Sequence, residues 1–280
     1  MKIIDYRVRP PLRGFLGMVM YTNGPRRDRF TRQLGLDPAP SAVNLSMPML
    51  LEEMAAAGVV HGAVMARNSD FLGSVSNDDV AAIVQEYPQQ FSAIAAIDPT
   101  DRKRAIRQID DALGRGFRGV TIEPGAYPTP LYAVDRKLYP IYAHLEDRNV
   151  VTTIMTGGNA GPDLSYSNPI QLDRVAADFP HLRIVVSHGN WPWVSEILHV
   201  AFRRANVYVS PDMYLYNMPG MDDYLKAADG FLADRFVFAT AYPLVPLKDY
   251  AQWFARLPLK PENMEKCVYR NAASLLGIAP

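Results

Sequence analysis

The chain has 280 residues, of which 49% are hydrophobic and 21% charged, enough apolar material for one large core in a soluble, globular protein. Lys plus Arg and Asp plus Glu are equal at 29 each, so no global field favours nucleic acid or an acidic membrane surface as a partner. The single cysteine, Cys267, excludes an internal disulfide framework, and no apolar run is long enough to cross a bilayer. With no secretory apolar stretch at the N-terminus, a cytoplasmic location is expected.

In chain order, the first strand is predicted at 2–8 and leads into Asp5-Tyr6-Arg7-Val8-Arg9. Period-two alternation puts residues 5, 7 and 9 on one face, with Arg7 and Arg9 about 6.6 Å apart. From there to about Asn44 the chain is rich in Gly and Pro and reads as one long irregular loop, bounded at 10–45. Placed after the first strand of a barrel, it would lie over the C-terminal mouth as a lid or pocket wall. Its cluster of Arg26, Arg27, Arg29 and Arg32 reads either as a solvated loop or as a device that steers an anionic substrate.

Further strands are predicted at 59–66, 91–97, 118–123, 150–156, 182–188, 206–210 and 235–241. Several are continuous apolar runs, such as Ile184-Val185-Val186 and Phe236-Val237-Phe238, as expected of strands buried on both faces. Amphipathic helices alternate with them at 46–57, 76–86, 101–115, 135–147, 168–178, 192–204, 218–231 and 246–256, with one more at 261–276. In 101–115, Ala105, Ile106, Ile109, Ala112 and Leu113 recur at helical spacing and Gly116 ends the helix. Eight alternations predict a single-domain (β/α)₈ barrel over 1–280, ahead of an open doubly wound sheet. No GxGxxG follows the first strand and no P-loop is present, which weighs against a nucleotide cofactor. No Gly-x-Ser-x-Gly elbow and no Cys–His arrangement exists either.

Several local motifs then point to a family. Ile97-Asp98-Pro99 follows the third strand, and a helix ends in Gly114-Arg115-Gly116-Phe117-Arg118-Gly119-Val120. Tyr139-Pro140-Ile141-Tyr142 precedes the fifth strand. Phe179-Pro180-His181-Leu182-Arg183-Ile184-Val185-Val186-Ser187-His188-Gly189 spans the sixth, and Arg270-Asn271-Ala272-Ala273-Ser274-Leu275-Leu276-Gly277 closes the chain. In these stretches the chain resembles the amidohydrolase-related group that includes metal-dependent decarboxylases and hydratases of aromatic-ring catabolism. The resemblance covers nearly the whole length and implies a barrel with its site at the C-terminal mouth.

It also implies a metal that the residues here do not match. Where the family has D-x-H-x-H, this chain has Asp5-Tyr6-Arg7-Val8-Arg9. Where it has H-T-G, this chain has Met155-Thr156-Gly157, and where it has a G-S-D-Y-P type run, Ala239-Thr240-Ala241-Tyr242-Pro243. Only His188 stands where the pattern wants a ligand. One imidazole cannot hold a catalytic Zn²⁺, which takes three protein ligands, and a guanidinium offers no lone pair. At 4 Å it would repel a dication by roughly 2–8 kcal/mol for effective dielectrics between about 80 and 20. The expectation is therefore a barrel without metal or other cofactor.

The match to the family makes the face of Arg7 and Arg9 the inward one. The two then either clamp an anionic substrate or form ion pairs with Asp5 and Glu123 in place of the metal; Arg67 is a third anion contact or a loop salt bridge. His188, Glu123 and Tyr242 are the candidate acid–base groups, with His188 as general base. Arg7, Arg9, Arg67, Tyr6, Trp191, Asp212 and Met155 are the candidate substrate contacts. His61, His144, His181 and His199 read as structural. Phe15, Met18, Met20, Tyr21, Trp193, Met213, Tyr214, Tyr216 and Met218 add apolar material near the mouth, as pocket lining or as packing. The expected function is a metal-independent hydrolase of a small carboxylate-bearing substrate such as a lactone, keto acid or ring-derived acid. The alternatives are a metal-free decarboxylase or lyase, and a barrel that binds without turnover. The expected partner is a small anion, and homodimers are frequent in such families.

Overall fold

The computed structural model describes residues 1–159 and 161–279. Seven strands form one parallel sheet in sequential order: β1 (Ile3–Val8), β2 (Val59–Met65), β3 (Phe91–Ala96), β4 (Gly119–Ile122), β5 (Val151–Met155), β6 (Ile184–Ser187) and β7 (Val207–Ser210). Their residues are almost all buried, because helices cover the outer face and the sheet curls around the inner one. The helices are α1 (Val19–Thr22), α2 (Gly24–Gln33), α3 (Pro40–Val43), α4 (Met47–Ala57), α5 (Asn77–Glu86), α6 (Arg102–Gly114), α7 (Tyr139–Asp147), α8 (Pro169–Asp178), α9 (Val194–Arg203), α10 (Met221–Ala228), α11 (Leu247–Phe254), α12 (Pro261–Glu265) and α13 (Asn271–Leu276). Caps set their ends: Asp101 accepts from the amides of Lys103 and Arg104 to start α6, and Gly58 at φ 73° closes α4.

The inner core draws on strands that are not neighbours. Ile4, Tyr6, Ala63, Met65, Ile94, Val151, Val185, Val237 and Ala239 pack together, with Ala272, Ala273, Leu275 and Leu276 of α13 closing one end. Residues from β1, β5 and β6 can touch only across the inside of a curled sheet, so this is the interior of a TIM-barrel-like fold. Among the described residues no helix is long and apolar enough to cross a membrane.

Three features depart from the expectations. The run 235–241 is not a ladder strand: it makes isolated parallel bridges, Phe236 to Val209 of β7 and Tyr242 to Val8 of β1. The amide of Phe238 meanwhile donates to the carbonyl of Cys267, so the final helices claim a group that a neighbouring strand would otherwise use. Secondly, 10–45 is not irregular but carries a 3₁₀ turn at Arg13–Gly17 and the helices α1, α2 and α3. Two of its five prolines, Pro25 and Pro40, sit at first turns, where a missing N–H is no loss. Thirdly, the helix expected at 261–276 does span those residues but widens into a π-helical turn at Lys266–Arg270.

Candidate functional site

The inner face of β1 is set by a bulge. Asp5 pairs with Gly62 and Val8 with Val64, so three steps on β1 oppose two on β2. The extra residue re-aims the chain. Tyr6 joins the inner core, Arg7 also turns inward, and Asp5 turns aside to accept from the Arg7 amide (3.0 Å), the Thr240 amide (3.0 Å) and the Thr240 hydroxyl (2.5 Å). Asp5 is therefore not a counter-charge to either arginine. Burial raises its carboxyl to about 6 against those three donors.

Arg7 spans the mouth of the sheet. Its Nη1 lies 3.1 Å from Asp212 Oδ2 and 2.9 Å from His188 Nε2, and its Nη2 lies 2.8 Å from Met155 Sδ. His188 Nδ1 is 3.0 Å from Asp212. A carboxylate can only accept, so Nδ1 carries the proton and Nε2 is the acceptor. Burial lowers the His188 pKa, Asp212 opposes this, and Arg7 and Arg9 add to it, so the ring is neutral at pH 7. Asp212 is held below the ordinary carboxylate range: burial would raise it, but His188, Arg7 and Arg9 outweigh that. His188 (φ 62°), Asp212 (φ 45°) and Ala241 (φ 57°) all adopt left-handed backbone, strain of about 1–3 kcal/mol each that clusters at functional sites.

Arg67 pairs with Glu123, with Nε at 2.8 Å and Nη2 at 2.5 Å from one carboxylate oxygen. Arg9 differs. It is 5% exposed, and Nη1 donates to the carbonyls of Ala241 (2.8 Å) and Tyr242 (3.2 Å). Among the described residues it has no carboxylate partner. Burial lowers its pKa well below the ordinary arginine value, with Arg7 and Arg67 adding to the effect. A guanidinium buried without a counter-ion is strongly stabilised by an arriving anion.

These groups surround a cavity of about 270 Å³, near the small end of ligand sites, which run from about 300 to 1,000 Å³. Arg7, Arg9, Arg67, Glu123, Met155 and His188 line it, and so do Val19, Met20 and Phe30 of α1 and α2. Asp212 stands directly behind His188 and Arg7. Three expected site residues are elsewhere. The Tyr6 hydroxyl is 3.4 Å from Thr153 Oγ1 inside the sheet. Tyr242 turns its hydroxyl to Ser41 (2.7 Å) and presents only its carbonyl to Arg9. Trp191 stacks on Tyr214 and donates its indole N–H to the Pro219 carbonyl. As acid–base or substrate groups these three are set aside. Tyr214 takes the place given to Trp191: it lines the cavity and meets the His188 ring edge-on at 5.1 Å. Nothing in the sequence separated it from the other aromatic residues near the mouth.

The family's metal positions correspond here to residues 7, 9, 155, 188 and 241. They do not fit a divalent ion, because the Arg7 guanidinium lies within 2.9 Å of His188 Nε2 and of Met155 Sδ, the space a cation would take. Among the described residues no three His, Cys, Asp or Glu side chains are grouped to hold a metal. Of the other histidines, His61 bonds the Gln89 carbonyl and Ser92, and His144 meets Asp110.

A family model described as amidohydrolase matches residues 4–278. The chain belongs to the amidohydrolase family. Among solved structures it is similar to an uncharacterised TIM-barrel protein from Bordetella bronchiseptica, with 55% identity, 99% of each chain covered and a TM-score of 0.97. It also shares its fold with 2,6-dihydroxybenzoate decarboxylase from Rhizobium (15% identity, 99% of each chain, TM-score 0.74). A third is 4-oxalomesaconate hydratase from Rhodopseudomonas palustris (17% identity, 98% of this chain and 95% of that one, TM-score 0.67). No curated protein matches the chain. In this amidohydrolase, then, the family fold carries an arginine-rich mouth.

Proposed function

We propose that the chain is a metal-independent enzyme, in the first reading a hydrolase, acting on a small carboxylate-bearing substrate. The observation that carries this reading is Arg9: a buried guanidinium at the cavity wall whose acceptors are two carbonyls, across the mouth from a neutral histidine backed by a carboxylate.

The chemistry follows from those positions. The acid group docks on Arg9, whose planar fork suits two carboxylate oxygens. For a lactone or related ester, His188 Nε2 takes the proton of an attacking water while the carbonyl electron pair moves onto oxygen. Arg7 donates to that oxyanion, and Asp212 stabilises the imidazolium. As the C–O bond breaks, the leaving oxygen recovers the proton from His188. Arg7 Nη1 lies 3.2 Å from Nδ1 and 2.9 Å from Nε2, over the face of the ring and off the in-plane lone pair of Nε2, and there the guanidinium opposes protonation of the imidazole. That contact is the specific support for the alternative of binding without turnover.

The test is a panel of carboxylate-bearing lactones, enol esters and β-keto acids, with CO₂ release monitored to separate a lyase from a hydrolase. Turnover is expected to survive chelator, to fall by roughly 10²–10⁴ in His188→Ala, and to show KM raised about 10- to 100-fold in Arg9→Met. Turnover that needs added metal, or that persists in both variants, contradicts the proposal. Acid binding that depends on Arg9 without any turnover establishes the alternative.

A further inference from the structure

We infer that the cavity takes a dianion whose second acid group is held at the rim by Arg26 and Arg29 of α2; this rests on the carboxylate reading above and adds to it. Six arginines line the cavity: Arg7, Arg9, Arg26, Arg27, Arg29 and Arg67. Three have carboxylate partners in the protein. Arg7 is paired with Asp212, Arg67 with Glu123, and Arg27 with Asp28 at 2.8 Å. Arg9, Arg26 and Arg29 have no such partner among the described residues. The unmatched charge is thus divided between two places, one guanidinium buried in the floor and two exposed ones at the mouth.

Val19, Met20, Phe30, Leu72 and Leu244 line the same cavity and give it an apolar wall. Arg26 lies over the ring of the exposed Phe71 at 5.6 Å, a cation–π contact at the rim. A ligand complementary to this wall has an acid group at each end of a short apolar body. A single doubly charged group such as phosphate would place both charges at one end and leave the other unmatched. Because Arg26 and Arg29 are exposed, their attraction is screened by salt while that of Arg9 is not.

The experiment is calorimetric titration of the full chain with paired probes, isophthalate against benzoate and adipate against valerate, with inorganic phosphate as a further ligand. In the wild-type protein each diacid is expected to bind roughly ten-fold more tightly than its monoacid, with the advantage shrinking as salt is raised. In Arg26→Ala/Arg29→Ala the ratio of diacid to monoacid affinity should approach one, and in Arg29→Glu the preference should reverse. Equal binding of diacid and monoacid by the wild-type protein, a preference that survives the double variant, or phosphate binding more tightly than every diacid would overturn the inference. Monoacid binding that is lost in Arg9→Met but without any diacid preference would sink the second subsite and leave the carboxylate reading standing. Failure of every acid to bind would remove both.

Discussion

At the residue scale, the site turns on which charge meets which. Position and residue type were readable at Arg7, Arg9 and His188, because strand ends aligned with the family's motifs mark the mouth. Partnership was not. In the ion-pair alternative Asp5 and Glu123 would neutralise Arg7 and Arg9, yet Asp212 pairs with Arg7 and Glu123 with Arg67. A one-residue bulge decides this, and nothing in Asp5-Tyr6-Arg7-Val8 signals it. Two pH responses follow. With the His188 pKa lowered, the base stays neutral below its ordinary value of about 6.5, so the acid limb of kcat/KM should fall below that pH. In Asp212→Asn the limb should move lower still, since the group opposing the shift is gone, and the rate should drop by roughly 10²–10⁴. A pH–rate profile with its acid limb above the ordinary histidine value would contradict this. Asp5 acts on stability with the opposite sign to a salt-bridged carboxylate. Its folded value, about 6, lies above the unfolded 3.8, so the folded state retains a proton that the unfolded chain releases between them. Stability should therefore fall by about 2–3 kcal/mol as pH rises through that window. Asp5→Asn should remove that part of the slope in denaturant titrations, and an unchanged slope would show that Asp5 is ionised throughout.

At the element scale, period and turn chemistry were good guides wherever packing followed local preference. Most strands and helices lie where the alternation put them, because buried parallel strands must be apolar along their whole length. The segment 10–45 was misread, since its Gly and Pro content suggests irregular chain while Pro25 and Pro40 in fact start helices. That difference shapes the site, for α1 and α2 form one cavity wall. The end of β5 depends on a glycine. Gly157 has φ 98°, and a Cβ there would lie 2.6 Å from Asn190 Cα and 2.7 Å from its carbonyl carbon, backbone that cannot swing aside. Asn190 is itself fixed by Thr156 (2.7 Å) and the Ser167 carbonyl (2.9 Å). Gly157→Ala should therefore destabilise by roughly 2–4 kcal/mol and lower activity by shifting His188, two residues before Asn190. Thermal denaturation with a parallel activity assay checks this; a neutral substitution would mean that the β5–β6 junction is compliant.

For the whole molecule, the alternating pattern and the closing Asn271-Ala272-Ala273 motif made the TIM-barrel-like fold readable from end to end. The manner of closure was not readable. Phe236-Val237-Phe238 looks like an eighth strand, but its hydrogen bonds are divided among β7, β1 and the Cys267 carbonyl, a competition visible only in three dimensions. Because α13 fills one end of the inner core, Leu276→Ala should cost about 2–5 kcal/mol despite its place near the chain terminus, measurable by chemical denaturation; a cost near zero would mean that α13 frays freely. The opposite end holds the cationic mouth, and the account stands on that mouth binding an acid through arginine without a metal ion. A crystal structure of the protein soaked with benzoate tests this most directly. The carboxylate is predicted to hydrogen-bond to the Arg9 guanidinium, with Arg7 still between Asp212 and the His188 ring. A divalent ion coordinated by His188, with Arg7 displaced from the mouth, would contradict it.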